Sequence, residues 1–460
     1  MDAQLLSSLN QQLAEEIRRD GTLAAARFDL RHESMPPFLY AFPYAVADWP
    51  IFVNRQVIRE QFEPLIAAVP RILFRALRAS FSDSDAMAEY FGWPEMICQI
   101  FVQEPVDPRD VLIRHDAVLD SGGLKLLENN MGTAVGGWQD DYFQRQMSPR
   151  LACLAQSEAP SFHYRPILPA MFKVIAGGID RRKPGGSGGN FLVHHTFSPG
   201  GANMDDFRNG MQAVYDEVRP PSLAEGHISI LRDFSEIGFT AAGEVTAHGR
   251  IMDALILGDA LNTDMPPATL NRLIAAYLRE QLVYPDSPFH LMLGDKGLFA
   301  LLHECRIARL LDDDDCAFIE RFIPWSARLF DQEVLRDGVR IQLIPHVIAH
   351  KDDFVIKKFQ SSAGRDVFVG RHADAAEWER IIRDHMGTPA RWIAQQFCAP
   401  SQMELPDAAL GFIPHALIWG IFNCGGEYSG AYIRSHRGAG GQGVINSATG
   451  AVELPVFEAD

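Results

Sequence analysis

The segment that most restricts the fold is residues 111–138, VLIRHDAVLDSGGLKLLENNMGTAVGGW. Two apolar runs flank Ser121-Gly122-Gly123, whose small residues suit a hairpin loop. Side chains alternate along a strand, so the loop length decides which of them meet. A three-residue loop sets Leu119 opposite Lys125, Asp120 opposite Leu124, Asp116 opposite Glu128 and Arg114 opposite Asn130. Arg114, Asp116, Glu128 and Asn130 then share one face. A two-residue loop puts Glu128 on the other face from Asp116. Two acids directly opposite each other repel unless a cation lies between them.

Glu128-x-Asn130 offers two hard oxygen ligands on one strand, which suits Mg²⁺, and Asp116 is a third candidate. Taken alone, the same letters describe a polar strand face in water. Gly136-Gly137, just beyond, would let backbone amides approach phosphate or substrate oxygens.

Composition narrows the partners. A formal net charge of −17 over 460 residues argues against a nucleic-acid partner, which needs Lys and Arg to neutralise phosphates. It leaves room for a small anion such as ATP. The length exceeds what one core usually serves, so two or three subdomains are expected. The cysteines (Cys98, Cys153, Cys305, Cys316, Cys398, Cys424) show no C-x-x-C spacing and read as small buried hydrophobes. The N-terminus is an amphipathic helix, with Leu5, Leu6, Leu9, Leu13 and Ile17 on one face, Asp2 as its cap and Gly21 as its stop. It is not a signal sequence. The longest apolar run, Ala409 to Cys424, is short of a membrane span. A cytoplasmic protein with no membrane partner is expected.

Along the chain, Gln56 to Ser80 reads as the longest helical stretch, interrupted by Pro64 and Pro70. Asp180 to Gly189 reads as a loop. Phe191 to Val193, a helix near Asp205 to Val218 and His227 to Leu231 suggest βαβ packing and a partly parallel sheet. Lys296 to Leu311 reads as a helix and Asp312 to Asp315 as solvated surface. From Phe354 the order is strand FVIKK, loop QSSAG, strand RDVFVG, helix Ala373 to Met386 and strand RWIAQQF.

A lysine that ends a buried strand before a small-residue loop can bring an ammonium and amides to the β- and γ-phosphates. Lys357 suits that role better than Lys358. Lys296 begins a helix, where phosphate would find free amides and a favourable dipole. Ala394 to Phe397 can offer backbone groups to an adenine edge, with Gln396 near the ribose. Arg434, on a strand entering a glycine-rich loop, can clamp a carboxylate or phosphate. No P-loop or H-E-x-x-H appears.

In this order the segments resemble the circularly permuted ATP-grasp proteins. That group includes eukaryotic-type glutathione synthetase and, more distantly, glutathionylspermidine synthetase-like carboxylate–amine ligases. In an ordinary ATP-grasp chain the lysine-bearing lid precedes the metal-binding Glu and Asn. Here LLENNMGTAVGGW comes first and FVIKKFQSSAG far downstream. The resemblance runs over roughly residues 111–455, through GDKGLFALLHE, FIERFIPWS, AEWERII, WIAQQF, YIRS and VINSATGAVELP.

The resemblance implies an α/β (α+β) chain with a circularly permuted ATP-grasp fold: a mixed central sheet, an inserted βαβ substrate subdomain and a lid. Residues 1–95 would be a mostly helical N-terminal region and 96–185 the first part of the core, with the Mg-binding hairpin. Residues 186–290 would be the βαβ subdomain, 291–400 the nucleotide-binding region with a lid at about 340–390, and 401–460 the rest of the core.

The resemblance also assigns roles. Glu128 and Asn130 would face Mg²⁺, with Asp116 kept as a third candidate from the hairpin; Arg114 and Arg434 would hold the transferred phosphate or the substrate carboxylate. Lys296, Lys357, Ser361, Ser362, Gly364, Gln395, Gln396 and Phe397 would bind ATP. Three positions depart from the family: Lys358 replaces the proline after the lysine, the loop Ser361-Ser362-Ala363-Gly364 lacks an acid, and Gln396 replaces the ribose-binding acid. The implied reaction joins a small carboxylate to an amine through an acyl phosphate, with release of ADP. Two alternatives stay open: a degenerate protein that binds nucleotide or a partner without catalysis, and an ATP-dependent phosphotransferase. A role for residues 1–95 in acceptor binding or in a homodimer also stays open.

Overall fold

The computed structural model describes residues 6, 8–19, 28–103, 108–120, 122–155, 162–184, 188–260, 265–361, 364–407, 411–437 and 445–459. Asp2 and Gly21, the expected cap and stop of the first helix, lie outside these residues. The helix itself runs Leu9–Arg19 and buries Leu9, Leu13 and Ile17.

The centre is an eight-stranded sheet. Its main path runs Ile51–Asn54, Val452–Ala459, Glu427–Arg437, Gly411–Cys424, Leu112–Asp120, Gly123–Met131. Gln402–Asp407 adds to Gly411–Cys424, and Phe162–His163 to Val452–Ala459. The sheet is mixed, because Ile51–Asn54 pairs in parallel with Val452–Ala459 and the remaining pairs are antiparallel. The N-terminal region, read as mostly helical, therefore also contributes a strand to this sheet. The β-formers of IFVN are followed at once by Asn54, whose side chain caps the next helical turn through the Gln56 amide.

The long helical stretch is less interrupted than its prolines suggest. A π turn over Ile58–Phe62 leads into a helix over Glu63–Ser80. Pro64 comes just after the π turn, and Pro70 lies inside the helix without ending it. The apolar run ending at Cys424 is a strand, and no helix among the described residues is long and apolar enough to cross a membrane.

Two smaller sheets flank the centre. Phe191–His194 pairs in parallel with both Ile228–Leu231 and Ala254–Ile256, and the helix Met204–Val218 links the first two of these strands. The helix before them, Ile167–Arg182, takes up Asp180 to Arg182 of the stretch read as loop. The second sheet, Ser326–Arg328, Trp392–Gln396, Phe354–Lys358, Val367–Val369, is antiparallel throughout. It packs on the helices Leu343–Ala349 and Ala375–His385 around a core of its own, built on Phe354, Ile356, Leu343, Val347, Trp378 and Ile382.

The acidic run is not all solvated. Asp312 caps the helix Asp313–Phe322, while Asp315 is fully buried and pairs with Arg71 at 2.8 Å and Arg75 at 2.5 Å. Two guanidiniums from a distant helix make that burial tolerable. Cys98, Cys305, Cys398 and Cys424 are buried free thiols.

Candidate active site

The hairpin fixes the site, by a route the loop alone does not reveal. Asp120 pairs with Gly123 and Leu119 with Leu124, so the loop is the two-residue kind and the expected Leu119–Lys125 and Asp120–Leu124 pairs do not form. Between Ala117↔Leu126 and Asp116↔Glu128 the register shifts, which leaves Leu127 as a bulge. The extra residue restores the facing pairs Asp116–Glu128 and Arg114–Asn130. It also leaves the Leu127 carbonyl outside the ladder, where it accepts from Lys357 Nζ at 3.0 Å.

Asp116 is the hub. Its carboxylate meets Arg114 Nε at 2.8 Å and Arg434 Nη2 at 2.7 Å, and accepts from Asn130 Nδ2 at 2.9 Å. Burial raises this carboxyl, but the two guanidiniums outweigh burial and hold it well below the usual carboxylate range. Burial in turn opposes both arginine charges, and Asp116 overcomes it and raises both. Asp116 thus anchors two arginines with the oxygens that a metal would need. Asn130 spends its amide nitrogen on Asp116, so its amide oxygen is the atom it can offer to a cation.

Glycine at position 420 makes this arrangement possible. A Cβ there would lie 2.3 Å from the Tyr432 ring and 3.1 Å from Arg114 Cδ. Tyr432 and Arg434 alternate onto the same sheet face, and Glu453 lies directly across from Arg434. None of Gly420, Tyr432 and Glu453 stands out in the sequence. The nearest signal for Glu453 is its place in the VELP strand at the end of the chain.

Lys296 comes from a different element. It caps the helix Gly297–Ile307; its Nζ meets Glu128 Oε2 at 3.2 Å and donates to the Ser361 carbonyl at 2.9 Å. The amides expected to be free at this helix start are engaged: Lys296 N donates to Phe359 O, and Gly297 N to Asp295 Oδ1. A phosphate here would meet an ammonium and no open backbone nest. Buried Asp295 also accepts from Trp93 and Gln360, and burial pushes its carboxyl up to about 6 despite these donors.

Lys357 is buried, and burial lowers its ammonium to about 8 against the opposing pull of Glu128. Lys358 points outward and pairs with Asp366 at 3.7 Å, so alternation along the strand selects Lys357 for the interior.

Two cavities meet over these residues. The first, of about 110 Å³, is lined by Val118, Val355, Val369 and Ile418 with Lys357, Gly364 and Gln395 to Phe397. The second, of about 480 Å³, is polar with aromatic walls, and Arg114, Asn130 and Glu453 line it. Glu128, Arg434 and Asn446 line both. Of the residues expected to face an adenine, Ala394 and Gln395 are paired on both sides within the sheet, and the Gln396 and Phe397 amides donate to Trp325 O and Asp353 O. The backbone leaves that pairing only near Cys398, which is where a base edge would find it. Gly137, expected to turn its amide to a ligand, donates to Gln139 Oε1 at 3.1 Å, and the Gly136 carbonyl accepts from Arg114. Ser361 lies in the loop after the strand Phe354–Lys358, and Ser362 lies outside the described residues. Among the described residues no three His, Cys, Asp or Glu side chains come together as a metal cluster.

No family model matches the chain, and no curated protein matches it. Among solved structures, a glutathione synthetase like-effector from Globodera pallida, in its apo form, aligns with a TM-score of 0.55 and 11% identity. The alignment covers 90% of this chain and 90% of that one. At that identity the likeness concerns the fold alone.

Proposed function

We propose that the chain is an ATP-dependent carboxylate–amine ligase built on a circularly permuted ATP-grasp fold. The observation that carries this reading is the junction of the two cavities. There Glu128 meets Lys296 at 3.2 Å, Lys357 reaches the bulge carbonyl beside it, and Arg434 stands on both sides. An apolar slot that ends at the Lys357 ammonium, with Lys296 held against Glu128 beside it, suits a nucleotide with its phosphates at the mouth. A polar cleft starting at the same point suits the group that receives the phosphoryl.

In this mechanism a substrate carboxylate attacks the γ-phosphate, giving an acyl phosphate and ADP. An amine then attacks the acyl carbon and phosphate leaves. Lys296 and Lys357 hold the phosphates, and Arg114 and Arg434 steady the charge on the migrating group. Glu128 and the Asn130 amide oxygen fit a divalent cation, since both line the cleft. Mg²⁺ held there would supply charge neutralisation on the phosphates. The sheet carrying Lys357, with its separate core, can close over the nucleotide and keep water from the acyl phosphate.

One observation favours nucleotide binding without turnover: the Glu128 and Asp116 carboxylates are already paired with cations. Assaying ADP release over paired panels of small acids and amines separates the readings. The ligase needs an acid and an amine together. A phosphotransferase releases ADP with one acceptor and leaves a stable phosphorylated product. A binder without catalysis takes up ATP and releases no ADP with any pair.

A further inference from the structure

The polar cleft holds a feature that the phosphoryl chemistry does not use. Glu453 is 3% exposed yet lines the cleft, and it accepts from Ser447 Oγ at 2.7 Å. Tyr44 and Asp259 line the same cleft, and the Tyr44 hydroxyl is raised first by burial and then by the charges of Glu453 and Asp259. The tyrosine therefore stands close to both acids. Trp138 and Phe197, stacked 5.0 Å apart, and Phe42 supply further aromatic wall. Acids beside aromatic faces are the surroundings that favour an organic cation.

A second observation locates the reacting atom. Arg434, 4% exposed, has an Nε donor with no partner among the described residues, although its Nη2 is held by Asp116. Arg434 and Glu453 are directly opposed on neighbouring strands. Arg434 lines the cleft, so an oxygen held by its guanidinium would bring its carbon within reach of whatever Glu453 holds. The charged or titratable groups around Glu453 are Arg434, Arg114 and Tyr432 on the sheet, Asp140 from the helix Asp140–Met147, and Tyr44 from the N-terminal loop.

We propose that the amine acceptor reaches this cleft as an ammonium ion, packed against Tyr44 and the aromatic wall, and that Glu453, with Asp259 at the rim, holds it and takes its proton. The proposal rests on the ligase reading for its chemistry. Glu453 removes one proton from the ammonium, and the neutral nitrogen attacks the acyl carbon. The C–N bond forms, the C–O bond to phosphate breaks, and the nitrogen's second proton leaves with the phosphate. The proton on Glu453 returns to solvent. The acceptor class is a primary amine with an apolar or aromatic body and no carboxylate beside the nitrogen, because a carboxylate there would face Glu453 and Asp259.

The test is a calorimetric titration of the full chain with benzylammonium, benzyl alcohol and benzoate, repeated on Glu453→Gln and Asp259→Asn. Benzylammonium binds about tenfold more tightly than the isosteric alcohol, and Glu453→Gln removes that preference. Asp259→Asn weakens it by a smaller factor and keeps the test valid if Glu453→Gln does not fold. Equal binding of the alcohol, preferred binding of benzoate, no detectable ammonium binding, or a preference that survives both substitutions overturns the proposal. Parallel ATP titrations keep the two readings apart. ATP binding without ammonium binding defeats the acceptor assignment alone; ammonium binding without ATP binding defeats the ligase reading and the acyl chemistry with it, and leaves only an ammonium site at Glu453.

Discussion

Two β-hairpins face each other across the apolar cavity, and they are built on opposite plans. The hairpin Leu112–Met131 lies in the eight-stranded sheet, buried beneath helices, and its charges neutralise one another at Asp116. The hairpin Phe354–Val369 belongs to a small sheet with a separate core, and its buried lysine reaches across to a backbone carbonyl of the first hairpin. The first holds charge in place by pairing it. The second carries a charge whose strongest partner would be a ligand. A nucleotide site needs both a fixed frame of cations and a part that can move with the phosphates.

That contrast predicts where damage falls. Asp116→Ala leaves two buried guanidiniums facing each other, and unfolding in urea should show a loss of about 3–5 kcal/mol. Trp378→Ala opens a cavity of similar cost, about 3–5 kcal/mol, but only in the small core. Hydrogen exchange should then quicken over the sheet containing Lys357 while the eight-stranded sheet keeps its protection. Equal loss of protection in both would erase the distinction between frame and lid. Gly420→Ala, forced against Tyr432, should cost about 1–3 kcal/mol and weaken phosphate affinity by displacing Arg114. Lys357→Met should change stability by no more than about 1 kcal/mol, since the lost hydrogen bond is offset by relief of burial. ATP affinity should nevertheless fall at least about tenfold, as expected for a charge kept for a ligand.

The smallest effect is one of pH. The Asp295 carboxyl, which accepts from Gln360 just past the strand Phe354–Lys358, is raised by burial to about 6 from an ordinary 3.8. A raised acid favours the folded state only while protonated. Its contribution is full below the unfolded value and is lost as pH climbs through the folded one. Asp295→Asn should therefore flatten the decline in stability between about pH 4 and about pH 6, as read by thermal unfolding. An unchanged slope would mean that the carboxyl is solvated on this timescale.

What could be read from the sequence follows the range of the interaction. A three-residue loop faces Asp116 with Glu128 and Arg114 with Asn130; the loop is the other open choice, two residues, and the bulge at Leu127 restores those pairs. A bulge depends on what the neighbouring strand and the sheet carrying Lys357 require, and no local pattern announces it. The same limit hides Gly420, whose missing Cβ matters because Tyr432 and Arg114 cross above it. It also hides Glu453, placed opposite Arg434 by pairing between strands. Asp315 read as surface because its partners, Arg71 and Arg75, lie far away in sequence. Ile51–Asn54 was lost among helices because four residues carry too little periodicity to compete. The parallel pair Phe191–His194 and Ile228–Leu231 with the helix between them is legible, since strands and helix alternate locally, whereas the third strand, Ala254–Ile256, is not.

The central claim is that one chain segment fixes charge and another delivers it to a nucleotide. Its most direct test is titration of ATP·Mg²⁺ by calorimetry into wild type, Glu128→Ala and Lys357→Ala. Metal-dependent binding to the wild type, weakened by each substitution, is the predicted result. No binding to a demonstrably folded wild type, or binding that neither substitution disturbs, would contradict it.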